Sequence, residues 1–137
     1  MIVADTGAIV ALIDADDKHH RHIRAVYEQR PSDWLLPWAI LPEVDYLLEN
    51  HVGARAARAF RADLATGAFA VEWGTLADLA RARDLCDKYA SLSLGLVDAS
   101  VIAVAERVRA SAIATVDLRD FGAVALPRGM RLLPRDR

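Results

Sequence analysis

The chain has 137 residues, a hydrophobic fraction of 54% and a formal net charge of −2. This length predicts a single domain over residues 1–137, with enough apolar residues for a substantial core. The small negative charge provides no general attraction for nucleic acid, so a polyanionic substrate would need local arginines or a metal ion.

The single cysteine, Cys86, excludes an internal disulfide framework and a thiolate metal cluster. This cysteine content agrees with a cytoplasmic protein. No apolar run reaches the roughly 18 residues that a membrane span needs, and the amino terminus does not resemble a signal peptide.

Short apolar runs alternate with helical patterns along the chain. Ile2 and Val3 are β-branched and favour a buried first strand that ends at Asp5. Further strands are predicted at residues 34–37, 68–73, 112–116 and 130–133. Helices are predicted at residues 8–14, 20–30, 39–50, 54–66, 76–89 and 96–109. This alternation predicts an α/β fold with a largely parallel sheet.

Several predicted helix ends have a local cause. Arg30 precedes a proline and therefore avoids the helical region of backbone space. Gly67 stands where a glycine commonly ends a helix. Thr75 is followed three residues later by Asp78, which is a near match to a capping box at the start of the helix over 76–89.

Two aspartates end predicted strands. Asp5 follows the first strand, and Asp117 closes the run 113–116 in the same way. The carboxyl ends of parallel strands meet at one edge of a sheet, where ligands bind in open α/β folds. We therefore expect Asp5 and Asp117 to lie on the same edge.

Two further acids, Glu43 and Asp98, lie on predicted helices among apolar residues. Each has an apolar residue four positions before it and four positions after it, so each shares a helix face with apolar side chains. A carboxylate embedded there must be paired, neutralised or bound to metal. The chain has only two lysines, but arginine pairing stays open because Arg119 lies close to Asp117 in sequence.

Each of these four acids also has an ordinary structural interpretation. Asp5 would form a turn, and Asp117 would cap a short turn that leads to Phe121. Glu43 and Asp98 would be first-turn acids that complement the helix dipole. If all four converge, they suit a hard cation with oxygen ligands, Mg²⁺ or Mn²⁺, and a reaction such as phosphodiester hydrolysis.

The order and spacing of these acids resemble a known family. Asp5-Thr6-Gly7 resembles the opening of a PIN domain, and residues 41–44, 94–99 and 114–121 resemble its second, third and fourth acidic positions. The size of the chain and the spread of the motifs resemble the VapC toxins of type II toxin–antitoxin systems. The departures are Gly7, where the family often has serine or another small residue, and Pro42 directly before Glu43.

This resemblance implies a PIN-like three-layer sandwich, with a mainly parallel central sheet of about five strands flanked by helices. It implies an endoribonuclease that hydrolyses RNA phosphodiester bonds with Mg²⁺, or Mn²⁺, as its cofactor. The metal ligands would be Asp5, Glu43, Asp98 and Asp117, some of them through water. The implied partners are RNA, a VapB-type antitoxin whose C-terminal segment fills the groove, and a second copy of the chain in a homodimer.

Three neighbours of the acids have open roles. Thr6 and Thr115 would orient a carboxylate or a metal-bound water, although ordinary strand-end capping also explains them. Asp120 could assist or replace Asp117, but its position in a turn favours the surface.

The histidines His19, His20 and His22 belong to a polar helix start, and a carboxylate site for a hard metal does not need them. They could contact RNA or antitoxin.

The tryptophans Trp34, Trp38 and Trp73 each adjoin an apolar strand, which favours core packing over base stacking. The alanine- and arginine-rich helix over 54–66 could be a dimer or antitoxin surface.

Other functions fit the sequence less well than a nuclease does. A receiver domain would have adjacent acids near the first strand and a lysine after a later strand, and this chain has neither. A phosphatase with an aspartate nucleophile would have a second aspartate at position 7, where Gly7 stands. Two alternatives stay open: a PIN-domain RNA-processing nuclease without an antitoxin, and a catalytically inactive PIN-like binding module.

Overall fold

The computed structural model describes residues 1–137 and is built around one five-stranded sheet. Its strands are β1 (Ile2–Ala4), β2 (Trp34–Pro37), β3 (Ala70–Glu72), β4 (Ala112–Ala114) and β5 (Arg131–Leu133). Their order is β3-β2-β1-β4-β5, and every neighbouring pair is parallel. The predicted fold class is thus confirmed, and β1 occupies the centre of the sheet.

Seven helices connect and cover the strands. They are α1 (Thr6–Ile13), α2 (His20–Gln29), α3 (Leu41–Leu47), α4 (Ala54–Thr66), α5 (Leu76–Lys88), α6 (Leu96–Arg107) and the short α7 (Leu118–Phe121). The six longer helices correspond to the six predicted ones: α4 has the predicted ends, and each of the others differs by one to a few residues at one or both ends. None of the helices is both long and apolar enough for a membrane crossing.

The largest departure from prediction is at residues 39–50, where the sequence pattern predicts one α-helix. A 3-10 turn at Trp38–Ile40 precedes α3, and a π-helical segment, Leu48–Val52, follows it. Pro42 is accommodated because the first turn of a helix does not need its missing N–H. The spacing of apolar residues indicates which face of a helix is buried. It does not distinguish an α-helix from the 3-10 turn before α3 or the π-helical segment after it.

The capping box at the start of α5 is present as predicted. The Thr75 hydroxyl accepts a hydrogen bond from the Asp78 N–H at 3.2 Å, and the Asp78 carboxylate accepts one from the Thr75 N–H at 2.9 Å. Arg107, the last residue of α6, donates to both oxygens of Asp78, at 2.9 and 3.1 Å, and to Glu72 at 2.6 Å. These hydrogen bonds fasten the end of α6 to the start of α5 and to the end of β3.

Helix α6 forms the centre of the packing on its face of the sheet. It contacts β1, β2 and β4 as well as α5. Residues 99–105 of this helix are all buried, which explains why small and β-branched residues fill this stretch. The burial fixes the position and direction of the helix whose first turn contains Asp98.

The tryptophans divide between core and surface. Trp34 is buried and makes an edge-on contact with Tyr27, with ring centroids 5.2 Å apart, as core packing predicts. The prediction is wrong for Trp38 and Trp73, which are 45% and 71% exposed. Both follow the carboxyl ends of their strands, where the chain leaves the sheet and the neighbouring layers no longer cover it.

Candidate active site

Asp5 lies at the centre of the carboxyl edge of the sheet. It follows β1 directly, its N–H donates to the Ala114 carbonyl at 2.9 Å, and its side chain is almost completely buried. That backbone hydrogen bond continues the pairing of β1 with β4, so the ends of the two central strands lie side by side. The expectation that Asp5 and the residues after β4 share one edge is therefore met.

Thr115 connects two of the predicted acids. Its hydroxyl donates to Asp5 Oδ2 at 3.1 Å and accepts a hydrogen bond from the Asp117 N–H at 3.0 Å. Thr115 is fully buried, so one side chain fixes the rotamer of Asp5 and the backbone that presents Asp117. A hydroxyl in this arrangement is the kind of group that orients a metal-binding carboxylate.

The segments that carry Asp5 and Asp117 approach each other closely at Gly7. A Cβ added to Gly7 would lie only 2.8 Å from the Val116 side chain. Glycine therefore allows the close packing of the two segments. Any side chain at this position would displace Val116, the residue directly before Asp117.

Three carboxylates form a compact cluster beside Asp5. Asp98, Asp117 and Asp120 each offer an oxygen, and these oxygens all lie within 4.8 Å of one another. The expectation that Asp120 points away on the surface is wrong, because it is half-buried within this cluster. The sequence signal was its spacing, since residues three apart in a helical turn share a face with Asp117.

The capping interpretation of Asp117 is also correct. Asp117 Oδ1 accepts a hydrogen bond from the Asp120 N–H at 3.2 Å and so starts α7. This turn places Asp120 next to Asp117 in the acidic cluster. Capping and clustering are consequently two results of one local conformation.

The two helix acids differ in burial. Asp98 lies half-buried in the first turn of α6, and Glu43 lies in the first turn of α3. Glu43 is exposed, so the prediction that it is embedded among apolar side chains is wrong. The buried face at the start of α3 carries Ile40 and Val44, and Glu43 lies outside it. Glu43 lies outside the compact cluster, although its charge still acts on Asp98.

The acids of this site raise one another's affinity for protons. Burial, followed by the charge of Asp98, raises the pKa of Asp5 to about 7, and the hydrogen bond from Thr115 only partly offsets these causes. Burial and the charges of Asp117, Asp120 and Glu43 raise the pKa of Asp98 to about 6. The ordinary pKa of an aspartate is about 3.9. The site therefore binds positive charge, in the form of protons, much more readily than isolated carboxylates do.

No arginine or lysine neutralises the site. The ion pairs of the chain all join other residues, and Arg119 makes none with Asp117. The arginine-pairing alternative is thus excluded. The available donors are oxygens, including the buried Thr6 hydroxyl, which has no hydrogen-bond partner. This donor set fits a hard divalent cation and does not suit a soft one.

A cavity of about 450 Å³ lies away from the acids, at the amino ends of the strands. Its lining includes Ile2, Ser111 and Arg131, which lie at the amino ends of β1, β4 and β5. It contains none of the clustered acids, so cavity size does not identify the chemical site in this chain.

Comparison with known proteins agrees with this architecture. The family model of the PIN domain matches residues 2–126. The chain is 28% identical to ribonuclease VapC26 of Mycobacterium tuberculosis over 123 residues, which is 90% of this chain and 91% of that protein.

Two solved structures share the fold. The structure of VapC20 of Mycobacterium tuberculosis, described as a toxin that cleaves the sarcin–ricin loop, matches with a TM-score of 0.81 and 24% identity, covering 90% of this chain and 95% of that chain. A toxin–antitoxin complex from Klebsiella pneumoniae matches with a TM-score of 0.71 and 20% identity, covering 95% of each chain.

The sheet order and the acidic edge thus define a nuclease of the PIN type. This chain belongs to the PIN domain family. Within that family its similarity is to VapC-type toxins, which confirms the resemblance seen in the sequence motifs.

The raised pKa of Asp5 predicts a pH-dependent stability of the metal-free protein. The folded chain keeps the Asp5 proton up to about pH 7, whereas the unfolded chain releases it near pH 3.9. Between these values the folded state binds more protons, so the free energy of unfolding falls as pH rises, on the order of a few kcal/mol in total.

Urea unfolding with chelator present, from pH 4.5 to 7.5, measures this decline. Asp5→Asn should make the decline shallower, with the part due to Asp98 remaining, and should leave the protein at least as stable as the wild type at pH 7.5. Asp63→Asn, at an exposed position on α4, should keep the wild-type profile. A free energy of unfolding that rises with pH in the wild type would contradict the electrostatic description.

Proposed function

We propose that this chain is a Mg²⁺- or Mn²⁺-dependent endoribonuclease that acts as the toxin of a VapBC-type toxin–antitoxin pair, with residues 1–137 forming one PIN-like nuclease domain. The observation that carries the proposal is the cluster of Asp98, Asp117 and Asp120 beside buried Asp5, with no basic side chain to balance it. A cluster of this kind is unfavourable unless it binds a cation.

The proposed roles follow from the positions of the side chains. Asp5, Asp98 and Asp117 hold the metal, and exposed Glu43 reaches it through water. Thr115 keeps Asp5 in its rotamer through the 3.1 Å hydrogen bond, and Thr6 offers its unpartnered hydroxyl to a water or a carboxylate. When bound, a divalent ion supplies polarisation of a phosphoryl oxygen and a lowered pKa for an attacking water.

The named relatives support RNA as the substrate and an antitoxin as the partner. VapC26 is named a ribonuclease, VapC20 is described as cleaving the sarcin–ricin loop, and the Klebsiella structure is a toxin–antitoxin complex. The sarcin–ricin hairpin is therefore the first RNA to test. Such a substrate would place the action of this protein in the cytoplasm.

The alternatives make different demands on the same site. An RNA-processing nuclease would use the same acids and would lack an antitoxin. An inactive binding module would have no need for mutually repelling carboxylates, and the raised pKa values of Asp5 and Asp98 disfavour that interpretation.

Cleavage of RNA by the purified protein should require Mg²⁺ or Mn²⁺ and the clustered acids. Asp5→Asn and Asp98→Asn should each reduce the cleavage rate at least about 100-fold, because each removes a charge that holds the ion. Glu43→Gln should have a smaller effect, since this residue lies outside the compact cluster. The measurement is the rate of product formation on a labelled sarcin–ricin hairpin and on total RNA, with and without chelator.

The matched control is Asp63→Asn, which also removes an aspartate charge but lies on the exposed surface of α4. It should cleave at the wild-type rate. Full activity of both site variants would contradict the site assignment. Full activity in the presence of chelator would contradict the metal.

Expression in a bacterial host should arrest growth if the chain is a toxin. Asp98→Asn should relieve the arrest, and co-expression of a small antitoxin gene adjacent to the toxin gene should relieve it in the wild type. Growth curves with the three expression strains measure this. Normal growth with a protein that is active in the tube would favour the RNA-processing alternative.

We also propose that the chain forms a homodimer through the apolar patch, defined here as Trp38, Trp73, Leu76 and Leu79. These side chains are 45%, 71%, 82% and 48% exposed and line one groove. The charged groups around the patch, Arg107 with Glu72 and Asp78, already pair within the chain. An apolar centre with a neutralised rim is typical of a surface that packs against another protein.

Replacing two side chains of the patch should therefore produce a monomer. Light scattering should give twice the chain mass for the wild type and the chain mass for the double variant Trp73→Ser/Leu76→Ser. Tyr46→Ser, which alters another large exposed side chain outside the patch, should stay dimeric. A dimeric double variant or a monomeric wild type would contradict this interface.

A further inference from the structure

A second cavity, of about 280 Å³, adjoins the acidic site at the carboxyl edge of the sheet. It is lined by His19, His22, Thr115, Val116, Leu118, Pro134 and Arg135. Thr115, Val116 and Leu118 follow β4 and lie on either side of Asp117 in sequence, whereas Pro134 and Arg135 follow β5. The cavity and the acidic site share Thr115, because this residue lines the cavity and its hydroxyl is hydrogen-bonded to Asp5 and to the Asp117 N–H.

Two histidines offer free ring nitrogens to this cavity. The rings of His19 and His22 make no hydrogen bond within the chain, and His22 is exposed. The neighbouring His20 differs, because its Nδ1 is hydrogen-bonded to the Ala11 carbonyl at 2.7 Å and it is absent from the cavity lining. The three histidines thus have separate roles, one structural and two available to a ligand.

Arg135 adds a guanidinium with one free nitrogen. Its Nε and Nη2 donate to Asp136, at 2.7 and 2.8 Å, and Nη1 makes no hydrogen bond. Nη1 lies 3.7 Å from the place where a Cβ on Gly122 would stand, so this nitrogen is directed toward the end of α7, the helix that contains Asp120. Asp136 partly balances the charge of Arg135 but leaves the Nη1 donor unused.

The cavity therefore supplies hydrogen-bond donors for an anion, which the acidic site lacks. The acids repel a polyanion, and no basic side chain pairs with them. Imidazole and guanidinium N–H groups are suited to phosphate oxygens, and here three such side chains surround one opening that Thr115, Val116 and Leu118 also line. A chain of phosphates that crosses the acidic site would meet these donors at the next position.

We infer that this cavity binds an RNA phosphate adjacent to the scissile one, with His19, His22 and Arg135 as positioning residues. The inference rests on the proposed ribonuclease function. It assigns to Arg135 the local positive charge, and to the two histidines the hydrogen-bonding ring nitrogens, that the weak net charge of the chain does not provide.

The test is steady-state cleavage of an oligoribonucleotide by the metal-loaded double variant His22→Gln/Arg135→Gln. KM should rise about tenfold, the effect expected when one phosphate no longer receives charge-assisted hydrogen bonds, while kcat stays within about twofold of the wild type. The salt dependence of KM should also weaken, by a slope of about 0.7 for each phosphate that the variant no longer neutralises.

A substrate series identifies the phosphate. Single linkages of the RNA are replaced in turn by neutral methylphosphonates on either side of the cleavage site. For the wild type, one flanking replacement should raise KM by about the same factor as the double variant, and this replacement should have no further effect on the variant. A purely structural role of the two residues would not produce such selective non-additivity.

The matched control is His51→Gln/Arg83→Gln. His51 is an exposed histidine on another segment, and Arg83, like Arg135, donates to the aspartate that follows it in sequence. This control carries the same two substitutions away from the cavity and should retain the wild-type KM.

The remaining outcomes would contradict either the phosphate site alone or the nuclease function as well. An unchanged KM in the double variant, or equal sensitivity of wild type and variant to every methylphosphonate, overturns the phosphate site and leaves the nuclease function intact. Loss of antitoxin binding with normal RNA cleavage identifies the cavity as a protein-binding surface and also overturns it. A wild-type protein that neither binds nor cleaves RNA overturns both the proposed function and this site.

Discussion

The structure depends on the burial of a carboxylate at the centre of a parallel sheet, within the field of several others. Asp5 ends the middle strand, and the charges of Asp98 and Asp117 act on it together with the loss of solvent. Neither an arginine nor a lysine compensates, so the site is a region of unrelieved repulsion in an otherwise well-packed core. Local conflicts of this kind in consistent folds are typical of functional sites.

Two close approaches keep the repelling groups together. The Thr115 hydroxyl connects Asp5 with the backbone of Asp117, and Gly7 allows Val116 to pack against the opening turn of α1. The Thr115 hydrogen bond orients the Asp5 carboxylate, and the absence of a side chain at Gly7 leaves room for Val116. The Asp117 cap then adds Asp120 to the same small volume. The acids are thus brought together by the packing of the backbone at the ends of β1 and β4, next to the first turn of α6, which contains Asp98.

Much of this arrangement can be predicted because it depends on strand ends. A carboxylate directly after a buried parallel strand must lie at the carboxyl edge, so the positions of Asp5 and Asp117 follow from the chain alone. The exposure of Glu43 and of Trp38 and Trp73 does not follow from it, since burial at the ends of elements depends on which neighbours cover them. The surface position expected for Asp120 is wrong although the turn that starts at Asp117 is predicted, because the sequence does not show that this turn packs beside Asp98. For each of these residues the predicted strand, helix or turn is present, and the packing of neighbouring elements determines how exposed the side chain is.

The ion pairs of Arg107 have a consequence at the other end of α6. Asp98 and Arg107 belong to the same continuous helix, about 13.5 Å apart along its axis at 1.5 Å per residue. The carboxyl-terminal end is fastened to Asp78 and Glu72, and the middle is buried against three strands. These contacts fix the position of the helix against the sheet and so keep the backbone of Asp98 close to its like-charged neighbours. The ion pairs of Arg107 at one end of α6 thereby help to hold Asp98, at the other end, within the repulsion of the neighbouring carboxylates. Binding of a cation or of protons reduces that repulsion.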